Sequence, residues 1–208
     1  IAININEGDE VVGVRLTNGQ NELLLANRNG RAVRFNEDKV RAMGRVATGV
    51  IGMQLDGSDD EVVGMVCVND PSIETIMVVS ENGYGKRSEV EDYRKTNRGT
   101  KGVKTLAVTE KTGRLVAIKV VTDENDLMII NKSGILIRLK VADVRVMGRN
   151  TQGVRLINLT KKNDTIASVC KVTSSQEEDV EEAEVLNEEL PADTSVDAAF
   201  ETDNNNNE

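Results

Sequence analysis

The 208-residue chain contains no histidine and no tryptophan, and only two cysteines, two prolines, two tyrosines and two phenylalanines. The absence of histidine excludes imidazole metal clusters, Ser-His triads and most general-base schemes. No Gly-x4-Gly-Lys-Ser/Thr loop occurs, so we expect no ATP site of that kind. No apolar run approaches the roughly 18 residues that a membrane-spanning helix needs. We therefore expect no catalytic residues, metal, cofactor, small-molecule substrate or membrane contact in this chain.

The first residues, Ile1–Ile5, lack the basic start, apolar stretch and cleavage site of a secretory signal peptide. The sequence does not begin with Met, which we interpret as the mark of a fragment. We expect a cytoplasmic location.

The charges are unevenly distributed along the chain. There are 26 basic and 35 acidic residues in total, and residues 176–208 contain 13 of the acidic ones but no Lys or Arg. Residues 1–175 therefore carry a net charge of +4, against −9 for the whole chain. Such asymmetry favours contact with nucleic acid or its regulation. Because the acidic end has little apolar surface to bury, we predict a disordered tail at 175–208.

Three segments, 27–50, 80–103 and 131–154, repeat one another without a gap. Each is anchored by a glycine, and the three glycines are Gly30, Gly83 and Gly134. Arginine recurs four, eleven and fifteen residues after each glycine, and a Gly-Val pair begins nineteen residues after it. The nine arginines are Arg34, Arg41, Arg45, Arg87, Arg94, Arg98, Arg138, Arg145 and Arg149. Recurrence at this many positions indicates a repeated structural unit.

Each repeat begins with an apolar run and a turn signal, as in Leu23–Leu25 and Asn29-Gly30, which predicts a β-hairpin. Two more extended runs follow, Ile51–Leu55 and Val62–Val68 in the first repeat. About four strands in roughly 50 residues is the size of a propeller blade. We predict an all-β, propeller-like domain at 1–174, with four-stranded blades at about 21–71, 72–124 and 125–174. Residues 1–20 match only the second half of a repeat and are expected to form part of a fourth blade.

Cysteines, carboxylates and tyrosines offer the remaining candidates for chemistry. Cys67 and Cys170 align with Leu16 and Val120, so we interpret their position as small, apolar and buried. Repeating acidic residues could form a two-carboxylate hydrolase, but their positions favour turn chemistry and solubility. Tyr84 and Tyr93 could attack a phosphate, yet no His or acidic metal cluster lies near them in the sequence. We expect structural roles for all of these residues, which are Cys67, Cys170, Glu22, Glu74, Asp126, Asp59, Asp60, Glu61, Tyr84 and Tyr93.

The nine regularly spaced arginines are the strongest functional signal. Equivalent positions in an arc of blades lie along one rim, and a basic rim is suited to duplex DNA because phosphate contacts dominate affinity. Arginine also matches phosphate geometry better than lysine does. We predict that these nine bind DNA, although we expect some of them to be structural instead and to bond carbonyls at blade junctions. The few aromatic residues argue against single-strand binding, which relies on base stacking.

The sequence resembles the DNA gyrase A C-terminal domain family over about residues 1–174. The resemblance rests on Val33-Arg34-Phe35, Val40–Gly44, Glu81–Arg87, Thr100–Val103 and Val146–Val154. It implies a β-pinwheel with exchanged strands whose basic perimeter wraps DNA. This wrapping would support ATP-dependent negative supercoiling by the whole topoisomerase. It also implies the remainder of gyrase A and the whole of gyrase B as partners, a location at the nucleoid, and ATP and Mg bound elsewhere. The chain itself is then not an enzyme.

The family's glycine-basic box, of the form Q-R-R-G-G-K-G, is absent. Its nearest equivalent is Asn97–Gly102, which adds Lys101 to the candidate DNA contacts. A protein-interaction propeller and the C-terminal domain of the corresponding topoisomerase IV subunit therefore stay as alternatives, the first of which predicts an exposed apolar patch. We also hypothesise that the acidic tail competes with DNA for the basic rim.

Overall fold

The computed structural model describes residues 2–159 and 164–173 of the chain. The predicted disordered tail at 175–208 lies outside these residues. The strands are β1 (Glu22–Asn27), β2 (Arg31–Asn36), β3 (Val62–Val68), β4 (Thr75–Ser80), β5 (Tyr84–Glu89), β6 (Val103–Lys104), β7 (Leu115–Val121), β8 (Asp126–Asn131), β9 (Leu136–Lys140), β10 (Val154–Arg155) and β11 (Ile166–Val172). Short 3-10 turns follow β2, β5 and β9, at Glu37–Lys39, Val90–Asp92 and Val141–Asp143. The predicted all-β class is confirmed.

Each repeat contributes an antiparallel hairpin, β1–β2, β4–β5 or β8–β9. The anchoring glycines have φ of 76°, 77° and 82°, as tight glycine turns between strands require. The register is the same in all three hairpins, because the arginine four residues after the glycine lies opposite Leu24, Met77 or Met128. The repeat of the sequence is therefore also a repeat of backbone pairing.

The blades are completed by strand exchange between neighbouring repeats. The first sheet has the order β3-β1-β2-β6 and the second the order β10-β5-β4-β7. Strand β6 lies in the second repeat but pairs with β2, and β10 lies in the third repeat but pairs with β5. The third sheet contains β11, β8 and β9 in the part of the chain that the structure describes. A four-stranded blade thus takes three strands from one repeat and a short fourth strand from the next.

The first repeat differs from the other two in the region that should be exchanged. The strand predicted at Ile51–Leu55 is wrong. Within this segment one residue, Met53, forms an isolated β-bridge, to Thr100. Val50 occupies the place of Val103 and Val154, which begin the exchanged strands. Those strands pair with the hairpin of the preceding repeat, and residues 2–21 contain no hairpin for Val50 to join.

The apolar core lies between consecutive sheets. One cluster joins the first and second sheets around Leu24, Ile76 and Leu115, and another joins the second and third sheets around Met77 and Ile129. Strand β7 packs between β3 and β11 on the inner side. The exchanged strands β6 and β10 lie at the opposite end of their sheets, which we call the outer edge. No helix among the described residues has the length and apolar character needed to cross a membrane.

The shared position predicted for the cysteines is wrong by one residue. Cys67 lies opposite Leu23, whereas Cys170 lies opposite Met128, and Leu23 and Met128 are not equivalent in the hairpins. A shift of one residue turns a side chain to the other face of a sheet. Cys67 is therefore half-buried against the first sheet's apolar residues, and burial raises the pKa of its thiol, while Cys170 is exposed.

Candidate nucleic-acid interface

The arginine four residues after the anchoring glycine joins neighbouring blades in the first two repeats. The side chain of Arg34 is 1% exposed and pairs with Glu22 and Glu91. Its Nη1 donates to the main-chain oxygens of Val90 at 2.8 Å and Tyr93 at 3.0 Å, in the next repeat. The guanidinium holds the pKa of the Glu91 carboxyl below its usual range. Arg34 is therefore enclosed at the junction and does not present its charge to a phosphate.

Arg87 repeats this arrangement one blade further along. Its Nη1 donates to the main-chain oxygens of Val141 at 3.0 Å and Val144 at 3.4 Å. Its Nε donates to Thr75, which replaces the glutamate of the first repeat, and it also pairs with Asp123. The residue is 5% exposed, so we remove both Arg34 and Arg87 from the candidate DNA contacts.

Arg138 makes the bond to the carboxylate of its own hairpin that Arg34 makes in the first repeat. Its Nε donates to Asp126 at 2.7 Å, as Arg34 donates to Glu22. Its side chain is 46% exposed, because the described residues contain no further repeat to cover it.

The third arginine of the repeat also crosses a junction, in the opposite direction. Arg98 donates to the main-chain oxygens of Lys39 at 2.8 Å and Ile51 at 3.1 Å, both in the preceding repeat. Arg149 makes the equivalent bonds to Asp92 and Lys104, each at 3.0 Å. Both side chains are half-buried, whereas Arg45, in the first repeat, is exposed. We call Arg34, Arg87, Arg98 and Arg149 the junction arginines.

The second arginine of the repeat is exposed in all three copies. Arg41, Arg94 and Arg145, which we call the edge arginines, form no hydrogen bond or ion pair within the described residues. Each follows a 3-10 turn, and Arg94 and Arg145 begin the segments that lead to the exchanged strands β6 and β10 at the outer edge. The main-chain N–H of Thr96 donates to the main-chain oxygen of Arg34 at 2.8 Å, and that of Met147 donates to the main-chain oxygen of Arg87 at 2.9 Å. The segments after Arg94 and Arg145 therefore lie along the second strand of the preceding hairpin, and their arginines face solvent.

Lys101 lies in the degenerate glycine-basic stretch just before β6. Its side chain is 61% exposed, and its Nζ pairs with Asp56 at 2.8 Å. This ammonium lowers the pKa of the Asp56 carboxyl. An exposed ion pair of this kind is weak and can exchange partners, so Lys101 stays a candidate contact.

The carboxylates have structural partners. Glu22 pairs with Arg34 and Lys95, and Asp59 pairs with Arg114. Asp60 accepts hydrogen bonds from the Asn27 side chain and from the main-chain N–H groups of Asn29, Asp56 and Glu61. Glu74 accepts from the main chain of Asn69 and Asp70. No three His, Cys, Asp or Glu residues converge as a metal site in the described residues.

The two tyrosines are also structural. Tyr93 is fully buried, its hydroxyl bonds Thr105, and burial raises its pKa to about 12. A phenol in that state is a poor nucleophile at neutral pH. Tyr84 is 6% exposed and accepts hydrogen bonds from Arg155 at 2.9 and 3.2 Å.

Sequence reasoning missed Lys86. This residue is fully buried on β5, and its Nζ donates to the main-chain oxygens of Gly148, at 2.7 Å, and Arg149. Burial lowers the pKa of its ammonium to about 8. Val33 and Ile137 occupy the same place in the other repeats. The signal in the sequence that could have identified Lys86 was a charged residue at a position of the repeat that is apolar in the other two copies.

Comparison with known proteins decides the family. The family model described as "DNA gyrase C-terminal domain, beta-propeller" matches residues 1–18, 21–69, 74–122 and 125–170. This chain belongs to that family. It is 46% identical over 184 residues to DNA gyrase A of Staphylococcus aureus, and the match covers 88% of this chain and 20% of that protein. The chain therefore spans about a fifth of the length of the curated relatives that it matches.

Solved structures agree on the fold. The chain is similar to the C-terminal domain of DNA topoisomerase IV, with a TM-score of 0.80 and 27% identity over 91% of this chain and 58% of that one. It is also similar to the DNA gyrase A C-terminal domain, with a TM-score of 0.74 and 27% identity over 82% of this chain and 57% of that one. The resemblance inferred from the sequence and the predicted propeller-like fold are both confirmed.

Proposed function

We propose that this chain binds duplex DNA along its outer edge without reading the base sequence, as the C-terminal part of a gyrase A protein. The observation that carries the proposal is the exposure of Arg41, Arg94 and Arg145 at the same place in three successive repeats. Positive charges that repeat from blade to blade are suited to a ligand with regularly repeated negative charges. Duplex DNA is such a ligand, since it carries one negative charge for about every 1.7 Å of its axis.

The junction arginines support the same proposal indirectly. Arg98 and Arg149 fasten the segments that begin with Arg94 and Arg145 to the preceding repeat. The exposed arginines are thereby held on ordered backbone, which lowers the entropy that binding would cost. Arg45, Lys101 and Arg138 are exposed cations that add to the same field, although the last two also form ion pairs.

The proposal extends to the enzyme of which this family is a part. Bending of the bound DNA around successive outer edges would wrap it, and wrapping would support ATP-dependent negative supercoiling by the whole gyrase. Strand cleavage, ATP and Mg would belong to the remainder of gyrase A and to gyrase B. This chain would then act by binding alone, at the bacterial nucleoid.

Topoisomerase IV is the second candidate for the parent enzyme, because its solved C-terminal domain is similar to this chain at the same 27% identity as the gyrase domain. The identity of 46% to DNA gyrase A of Staphylococcus aureus favours gyrase. A protein-interaction role has less support. In the part of the chain that the structure describes, no strand pairs with the outer side of β9, and the apolar residues Ile135 and Leu136 are exposed there; β6 or β10 covers the equivalent side of the other hairpins.

A two-part binding experiment tests the proposal. Duplexes of unrelated sequence should bind with equal affinity, and the affinity should fall steeply with salt because counterions are released from each neutralised phosphate. Binding to a closed circular plasmid that is then relaxed should change its linking number if the DNA is wrapped. Salt-insensitive binding would contradict the proposed contact with phosphates, and an unchanged linking number would contradict wrapping.

A further inference from the structure

Lys86 is a fully buried lysine that forms no ion pair in the part of the chain that the structure describes. Lysine is almost never fully buried unless it is paired. Its Nζ instead donates to two main-chain oxygens, those of Gly148 and Arg149. Both oxygens belong to the next repeat, so the ammonium spans the junction between the second and third blades.

The two acceptors lie in segment 145–149, which begins at one of the edge arginines. The hydroxyl of Ser88 donates to the main-chain oxygen of Met147 at 2.8 Å, and the guanidinium of Arg149 donates to the main-chain oxygen of Asp92 at 3.0 Å. The second repeat therefore holds this segment by polar contacts at three consecutive residues. The segment can move only if these contacts loosen.

The repeats show that folding does not require a lysine at this place. Val33 and Ile137 occupy it in the first and third repeats, and Phe35 and Leu139 occupy the place of Ser88. Val33 is 1% exposed, so an apolar residue fills the equivalent junction fully. Burial of a charged group is unfavourable in itself, which suggests that Lys86 contributes something other than stability.

We propose that Lys86 is a positioning residue of the DNA-binding edge, which holds segment 145–149 so that Arg145 meets a phosphate. The proposal rests on the proposed function and deepens it, since it assigns part of DNA affinity to a residue that DNA does not touch. Arg145 is exposed and Lys86 is enclosed, so Lys86 acts only through the segment between them.

The surrounding groups make this contact sensitive to pH. The pKa of Lys86 is lowered to about 8, mainly by burial; the charge of Asp92 opposes this shift and the charge of Arg149 adds to it. Tyr93, also at this junction, has a pKa raised to about 12 and keeps its proton in this range. Loss of the ammonium charge weakens its hydrogen bonds to the two oxygens, because charge-assisted bonds are the stronger ones. DNA binding through Arg145 should therefore weaken as the pH rises through about 8.

A double-mutant cycle tests the proposal through DNA binding. Lys86→Met should weaken duplex affinity several-fold at neutral pH and reduce the salt slope by up to about 0.9, the value of one phosphate contact. Arg145→Gln should lower the affinity and the salt slope in the same way. The double variant should bind DNA no more weakly than Arg145→Gln alone, because both changes remove the same phosphate contact. Lys119→Met removes a charge from the same sheet on β7 and should leave Arg145's contribution intact. Additive losses, or an equal loss in the Lys119→Met protein, would overturn the proposal.

Amide hydrogen exchange provides a readout that does not depend on DNA. The main-chain N–H of Met147 donates to the main-chain oxygen of Arg87, and its hydrogen should exchange faster in Lys86→Met than in the wild type. Lys86→Arg keeps a cation at this place and should restore both slow exchange and DNA affinity. Unchanged exchange in Lys86→Met, or failure of rescue, would contradict positioning by Lys86. If the wild type bound no DNA, the proposed function would fall, while exchange would still show whether Lys86 holds the segment.

Discussion

The guanidinium of Arg34 donates a hydrogen bond to the main-chain oxygen of Val90, 2.8 Å away in the next repeat. Arg87 makes the same bond to Val141 at 3.0 Å. Arginines that the sequence marks as DNA contacts thus include the side chains that join the blades. The regular spacing that suggested a basic rim has two physical causes, attachment at the junctions and exposure at the outer edge.

Replacement of Arg34 by Met should lower the free energy of unfolding by about 3–5 kcal/mol, because it leaves two main-chain oxygens without their partner at a buried junction and leaves Glu22 with Lys95 alone. The same replacement at Arg138, whose side chain is 46% exposed, should cost less than about 1 kcal/mol. Urea denaturation of the two variants measures the difference. Equal losses would show that the junction contact contributes little.

Gly153 and Gly134 provide a matched pair for the strand exchange. Both have positive φ, 77° and 82°, so alanine is strained by about 1–2 kcal/mol at either. A Cβ on Gly153, next to β10, would also clash with the main-chain oxygen of Gly85, whereas a Cβ on Gly134 would meet nothing within 4 Å. Gly153→Ala should therefore lower the thermal midpoint more than Gly134→Ala. Equal midpoints would mean that β10 does not need this close approach.

The free energy of unfolding should rise with pH between about 8 and 10.5 through Lys86. Its pKa is about 8 in the folded protein against an ordinary value of 10.5, so the unfolded chain binds more protons in this interval. Stability increases with pH wherever the unfolded state binds more protons. Lys86→Met should remove this rise, and denaturation at several pH values measures it. A rise of the same size in the variant would assign the effect to other groups.

The sequence was sufficient to predict the hairpins, since turn glycines and apolar runs act locally. It could not predict which arginine of the repeat is buried. Arg34 and Arg41 are the same residue type in the same repeat, yet Arg34 is enclosed because the next repeat places the carbonyls of Val90 and Tyr93 over it. That placement depends on the exchange of β6 between repeats, which the spacing of residues does not encode.

The two cysteines show how much a small error in register matters. Their alignment on one position was one residue out, and Cys170 consequently lies on the opposite face from the one expected. The anchoring glycines are 53 residues apart in the first interval and 51 in the second. The sequence therefore aligns positions far from an anchoring glycine poorly. Backbone pairing fixes them, because it sets each cysteine opposite one residue of the neighbouring hairpin strand.

The salt dependence of duplex binding by an edge-arginine variant tests the central claim most directly. The variant carries glutamine in place of all three edge arginines. Its control carries Lys111→Gln, Lys132→Gln and Lys171→Gln, which remove the same charge from other exposed positions. If the edge arginines bind phosphates, the slope of log affinity against log salt should become shallower by about 0.9 for each phosphate no longer neutralised, roughly 2.7 for all three, while the control keeps a slope near the wild type. Equal slopes in the variant, the control and the wild type would contradict DNA binding through the edge arginines.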